Sequence, residues 1–181
     1  MKEEIRMNMK KLATLALFLA PAVALAQTAD FNDNIVTWSE IVGVITAPNV
    51  DNPVAGISAG TAPWSTRSGR AFVNLTTGDA SFDVEDLVLN GGNASGTPGP
   101  IDRVTGTLVC NPGTKQLVLD TSEVKLTARG NARFHGVIRG IPNPCDNPLF
   151  LVRIGPSFPG AHGRWLATGA GRSTAGEGSL N

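Results

Sequence analysis

The sequence predicts an all-β protein, a single-domain antiparallel β-sandwich or barrel of about eight or nine short strands spanning residues 35–168. Three observations carry this expectation. Apolar and polar residues alternate with period two in several separate stretches, turn-forming Gly, Pro, Asn and Asp recur at close intervals, and no segment after the first 26 residues is spaced as an amphipathic helix. An immunoglobulin-like sandwich is the default at this size. The chain has no tyrosine, so the tyrosine corner of that architecture is missing, and sandwich and barrel both stay open.

The chain begins with a basic stretch (Lys2, Arg6, Lys10, Lys11), an apolar run over 12–25, and Ala24, Leu25, Ala26 before Gln27. This is the pattern of a secretory signal peptide, residues 1–26. The run is short for a membrane span and is broken by Pro21, so no span is expected after cleavage. The mature chain of about 155 residues suffices for one domain with one core. Cleavage removes four basic residues and two acidic ones, Glu3 and Glu4, from balanced totals of 15 and 15. The slight acidic excess that remains gives no global attraction to nucleic acid. A secreted or periplasmic protein is expected.

Residues 27–34 are polar and read as a flexible N-terminus. A first strand is expected over 39–46, where β-branched residues dominate and Pro48 follows. Residues 47–68, rich in Pro, Gly, Asn and Ser, form a long loop, with Trp64 either tucked beneath it as an anchor, the usual role, or forming a ligand platform, the rarer one. Ala71, Val73 and Leu75, then Ala80, Phe82 and Val84, are the inward rows of a hairpin turning at Thr77, Gly78 and Asp79. The phase shifts at Glu85 and Asp86, which suggests a β-bulge. Residues 90–100 form a Gly-rich loop.

Val104, Leu108 and Cys110 face inward on the next strand, and Pro112 and Gly113 occupy the central positions of a type II turn. The chain returns through Leu117, Val118 and Leu119. A second hairpin is expected from Val124 to Ile138, with Val124, Leu126, Ala128, Ala132, Phe134 and Ile138 inward. Residues 149–154 are nearly all apolar, as in a strand buried on both faces. A last short strand covers 165–168, and residues 169–181 read as a flexible Gly/Ser-rich tail.

Cys110 and Cys145 are the only cysteines. In an exported chain without a CxxC motif they favour a structural disulfide over a metal or redox site, the alternative being two free buried thiols. A bridge would close a loop of about 36 residues and contribute roughly 4 kcal/mol through chain entropy.

Residues 43–46, Pro63 with Trp64, the two cysteines, residues 151–153 and residues 165–169 together resemble small exported bacterial proteins of unknown function. The resemblance covers residues 42–169. It implies a β-rich secreted protein with one cysteine pair and brings no activity or site residues.

Catalytic patterns are sparse. Gly56, Ser58 and Gly60 spell GxSxG, with His135 and His162 downstream, but the nucleophile elbow needs a strand, a tight turn and a helix, and no helix is expected here. Two histidines with a carboxylate such as Asp146 lack the usual spacing of a zinc site. No metal and no cofactor are expected. The Asp and Asn clusters at 30–34, 49–52 and 143–147 suit Asx turns better than a calcium loop. Asp83 and Glu85 stand two apart on one strand face and look across no cleft, unlike a glycosidase pair. Asn74 and Asn93 lie in N-x-S/T sequons.

Period two places Lys125, Arg129, Arg133, His135 and Arg139 on the face opposite the inward row of residues 124–138. Such a row either pairs with an acidic strand, such as the one carrying Asp83 and Glu85, or offers a shallow site to an anionic glycan or lipid head group. The expected function is therefore that of an exported, non-catalytic binding or structural protein, not an enzyme. The alternative is a small secreted hydrolase using Ser58 with His135 or His162, or one using the two histidines through a metal.

Overall fold

The computed structural model describes residues 34–47, 50–158 and 163–175. The leader, residues 27–33, His162 and residues 176–181 lie outside the described residues. The described chain contains eleven strands and no helix: β1 (Ile35–Gly43), β2 (Trp64–Ser65), β3 (Ser68–Asn74), β4 (Asp79–Glu85), β5 (Val88–Leu89), β6 (Arg103–Cys110), β7 (Leu117–Asp120), β8 (Val124–Lys125), β9 (Ala132–Val137), β10 (Leu149–Ile154) and β11 (Trp165–Thr174). The all-β class is as expected.

One antiparallel sheet runs in the order β7-β6-β10-β11-β1-β3-β4-β9, and β8 lies on the same edge of β6 as β7. The small sheet of β2 and β5 stands apart from it. Residues 126–131 alone connect β8, at one end of the large sheet, to β9 at the other. So short a link brings the two ends together and curls the sheet toward a barrel, following the twist natural to L-chains.

The interior shows the same closure. Phe82 on β4 meets Phe134 on β9 at 5.9 Å and Phe150 on β10 at 5.7 Å, while Trp38 on β1 lies 5.5 Å from Phe150. All four rings are buried, and one core fills the curl. Gly106 on β6 completes it, because a Cβ there would lie 2.7 Å from the Phe82 ring and 2.9 Å from that of Phe150. A side chain at this position would displace an aromatic ring.

Several expectations hold in detail. The 71–84 hairpin forms, with Ala71 opposite Phe82. At the 111–114 turn Gly113 has φ +84° and Thr114 N–H donates to the Asn111 carbonyl (3.1 Å), as type II geometry requires. β10 is buried at Phe150, Leu151 and Val152 because it is central, between β6 and β11. Cys110 and Cys145 form the disulfide, which ties the end of β6 to the loop entering β10.

Others are corrected. The residues from Gly169 to Thr174 continue β11, paired with β1 as far as Val36 opposite Thr174. Glycine is suited to this strand because the Trp38 indole occupies the space where a Gly169 Cβ would stand, 2.6 Å from its ring. The first strand begins at Ile35, four residues earlier than expected, since β3 and β11 supply partners on both edges from there. Residues 124–138 do not pair as one hairpin: β8 bonds to β6 and β9 to β4, and the two arms are joined at the turn, where Thr127 N–H donates to the Asn131 carbonyl (3.0 Å) and Asn131 N–H to the Thr127 hydroxyl (3.0 Å). Ala128, expected inward, is exposed on that turn. At Asp86 (φ +51°) the chain leaves the large sheet, where a bulge was expected, and Leu87 is buried as it departs.

Candidate functional site

The disulfide marks one end of the curl, where β6 finishes and β10 begins. At the other end, where β10 finishes and β6 and β11 start, an apolar pocket of about 350 Å³ opens, within the size range of small-molecule sites. Its walls include Trp64, Leu89, Ile101, Ile154, Phe158 and Leu166, with Arg164 among them.

Each wall has an identifiable support. Trp64 N–H donates to the Val44 carbonyl (2.8 Å) and Asn90 N–H to that of Pro63 (2.8 Å), so the β2–β5 sheet is pinned across the end of β1. Residues 58–60 run parallel beside the start of β11, through Trp165 N–H to the Ser58 carbonyl (3.0 Å) and Gly60 N–H to the Trp165 carbonyl (2.8 Å). Phe158 follows a turn held by Glu123, whose carboxylate accepts from the Ser157 N–H (3.0 Å) and hydroxyl. These two bonds, the hydroxyl foremost and aided by Arg103, hold the Glu123 carboxyl below the ordinary glutamate pKa against the opposing effect of burial. Arg153 anchors the far side of the same loop by donating to the Gly163 carbonyl (2.7 Å), and it pairs with Asp120 at 3.2 Å.

Arg164 is half-buried. Its Nη1 donates to the Ala59 carbonyl (2.8 Å), and it makes no ion pair among the described residues.

The basic residues named from the sequence are all exposed, and none makes an ion pair among the described residues. They do not gather at one point. Lys125 and Arg133 line a polar groove with Asp83, Glu85, Thr127 and Asn131. Arg133 stands directly across from Asp83, which already pairs with Arg70 at 2.9 Å, while Glu85 pairs with Arg67 at 2.9 Å. Arg129 sits on the intervening turn, His135 faces out of β9 opposite Ser81, and Arg139 lies beyond the other end of β9 near Thr76 and Thr77. The acidic strand weighed from the sequence is therefore the actual neighbour of β9.

The Ser58 hydroxyl donates to the Asp51 carboxylate (2.8 Å), which also accepts from the Ala59 N–H (3.3 Å). No helix follows it, so the elbow geometry is not formed. His162 lies outside the described residues. No group of three or more His, Cys, Asp or Glu suited to a metal occurs among the described residues. Asn74 Oδ1 accepts from the N–H groups of Thr76 and Thr77, the Asx-turn role, and Asn93 is exposed. No helix among the described residues is long and apolar enough to cross a membrane.

The sequence does not show the pocket, although Trp64 reads from it as an anchor beneath its loop or, less often, a ligand platform. The pocket walls come from three regions far apart in the chain, 60–64, 89–101 and 154–166, and only large apolar residues stranded in Pro- and Gly-rich loops, Trp64, Ile101 and Phe158, hinted at it. The fold and site together define a disulfide-bonded all-β protein with an apolar pocket at one end of a curled antiparallel sheet. No family model matches the chain, no curated protein is similar to it, and no solved structure matches its fold.

Proposed function

We propose that this is an exported, non-catalytic binding protein that holds a small apolar ligand in the end pocket. The observation that carries the reading is the pocket itself, walled by Trp64, Leu89, Ile101, Ile154, Phe158 and Leu166 and held open by hydrogen-bonded loops. Export, with a mature chain starting at Gln27, is part of the reading; the leader pattern and the Cys110–Cys145 bridge support it, since such bridges persist in oxidising compartments. The test is titration with the neutral apolar dye N-phenylnaphthylamine. Saturable fluorescence enhancement in the wild type, abolished by the pocket-filling Ala62→Phe in a variant with native circular dichroism, is expected. Absence of saturation, or binding indifferent to Ala62→Phe, overturns the reading.

A second reading concerns an anionic glycan or lipid head group on the exposed basic residues. It is favoured by the absence of ion pairs at Lys125, Arg129, Arg133, His135 and Arg139 among the described residues. Asp83 and Glu85 offset the charge at one end, so binding is weak and screened within about 8 Å at physiological salt. An acidic polysaccharide should bind at low salt and lose affinity both at moderate salt and in Arg133→Ala and Arg139→Ala. No binding at low salt removes this reading.

A further inference from the structure

We infer that the pocket selects an amphiphile with one negatively charged head and a medium-length apolar tail, a carboxylate foremost, and that Arg164 is the residue that recognises the head. The inference rests on the pocket being a ligand site, as proposed above. Arg164 is the cation among the named apolar wall residues, at the point where β11 begins. A guanidinium carries five donors in a planar fork, and the Ala59 carbonyl occupies Nη1, fixing the group while the other donors meet no acceptor among the described residues.

Three acids of this region are engaged elsewhere, and Asp102, beside Ile101, is exposed and makes no ion pair with Arg164. Asp51 holds Ser58 and the Ala59 N–H, Glu123 holds Ser157 beside Arg103, and Asp120 holds Arg153 and the Thr107 hydroxyl. The contrast with Arg153 is informative, because that guanidinium has both a carboxylate and a carbonyl partner. Among the described residues, Arg164 has the carbonyl without the carboxylate. A half-buried charge beside apolar walls is costly until a counter-charge arrives, and a carboxylate matches the guanidinium fork with two parallel hydrogen bonds. A neutral apolar molecule would leave that charge unanswered, and a small anion would leave Trp64, Leu89 and Ile101 unoccupied. A molecule with both parts satisfies the whole site, and a volume of about 350 Å³ limits the tail to medium length.

The test is competition against N-phenylnaphthylamine by decanoate, decyl sulfate, decanol and acetate, all below micelle-forming concentrations, on the wild type, Arg164→Gln and Arg164→Lys. Decanoate should displace the dye about tenfold more tightly than decanol in the wild type, acetate should not displace it, and the two ten-carbon ligands should become equivalent in Arg164→Gln. Arg164→Lys should keep a reduced preference for the anion, which separates loss of charge from loss of fold. Decanoate ahead of decyl sulfate supports the carboxylate preference; decyl sulfate matching or exceeding decanoate overturns that preference. Equal affinity of decanoate and decanol in the wild type, or a preference that survives Arg164→Gln, overturns the inference while leaving the pocket as a ligand site. Failure of every ten-carbon ligand overturns the inference together with the apolar-ligand reading.

Discussion

Phe82 and Phe150 lie 5.7 Å apart with their rings tilted by 53°, although three strands stand between theirs in the sheet. Contact over that separation requires the sheet to curl until opposite strands share one interior, and edge-tilted aromatic packing adds to the burial that stabilises the curl.

The fit around these rings sets the first prediction. Gly106→Ala places a methyl group where the Phe82 and Phe150 rings already are, and overpacking of this kind costs roughly 1–3 kcal/mol. Phe150→Ala removes the ring that touches both Trp38 and Phe82, and should cost about 3–5 kcal/mol. Urea unfolding of both variants checks this. A Gly106→Ala protein as stable as the wild type would show that the interior is looser than described.

Reduction of Cys110–Cys145 should lower the melting temperature while leaving the β-type circular dichroism at low temperature intact. The bridge spans 35 positions of sequence, so opening it returns loop entropy to the unfolded chain worth roughly 4 kcal/mol, yet the ladder of β6 with β10 stays in place beside it. Intact mass of the exported protein should match a chain starting at Gln27 with both thiols oxidised. A product two hydrogens heavier under oxidising conditions contradicts the bridge.

Glu123 should make stability depend on pH. Its folded pKa is depressed by the Ser157 hydroxyl first, then by the Ser157 N–H and Arg103, so its contribution is fully present above the unfolded value, about 4.3, and is lost as pH falls through the folded value. The difference in melting temperature between wild type and Glu123→Gln should therefore be largest near neutrality and shrink as pH falls below about 5. A difference constant from neutrality down to acid unfolding would mean that Glu123 acts without its charge.

Thr105 offers a gain. Its Oγ1 is buried with no hydrogen-bond partner among the described residues, and such a group carries a desolvation cost of about 1–3 kcal/mol. Thr105→Val keeps the β-branched shape and should raise stability by about 1 kcal/mol in urea unfolding. Destabilisation would reveal a partner for the hydroxyl.

What the sequence determined by itself is local. Alternation in 71–84 and 104–110 places side chains on two faces whatever the partner strand, Pro112 and Gly113 dictate their turn through φ, and the cysteines can bridge only to each other. The tertiary structure decided what depends on partners. Residues 124–138 alternate as a hairpin would, yet their two arms find different neighbours, since β4 offers β9 six paired positions and the start of β6 takes β8 at two, one at each end of the curled sheet. Residues 169–174 look too glycine-rich to pack until Trp38 needs the space that a side chain would take. The pocket is least legible of all, since Trp64, Leu89, Ile101, Phe158 and Arg164 acquire a common wall only when the sheet closes, and no spacing along the chain encodes a contact made by closure.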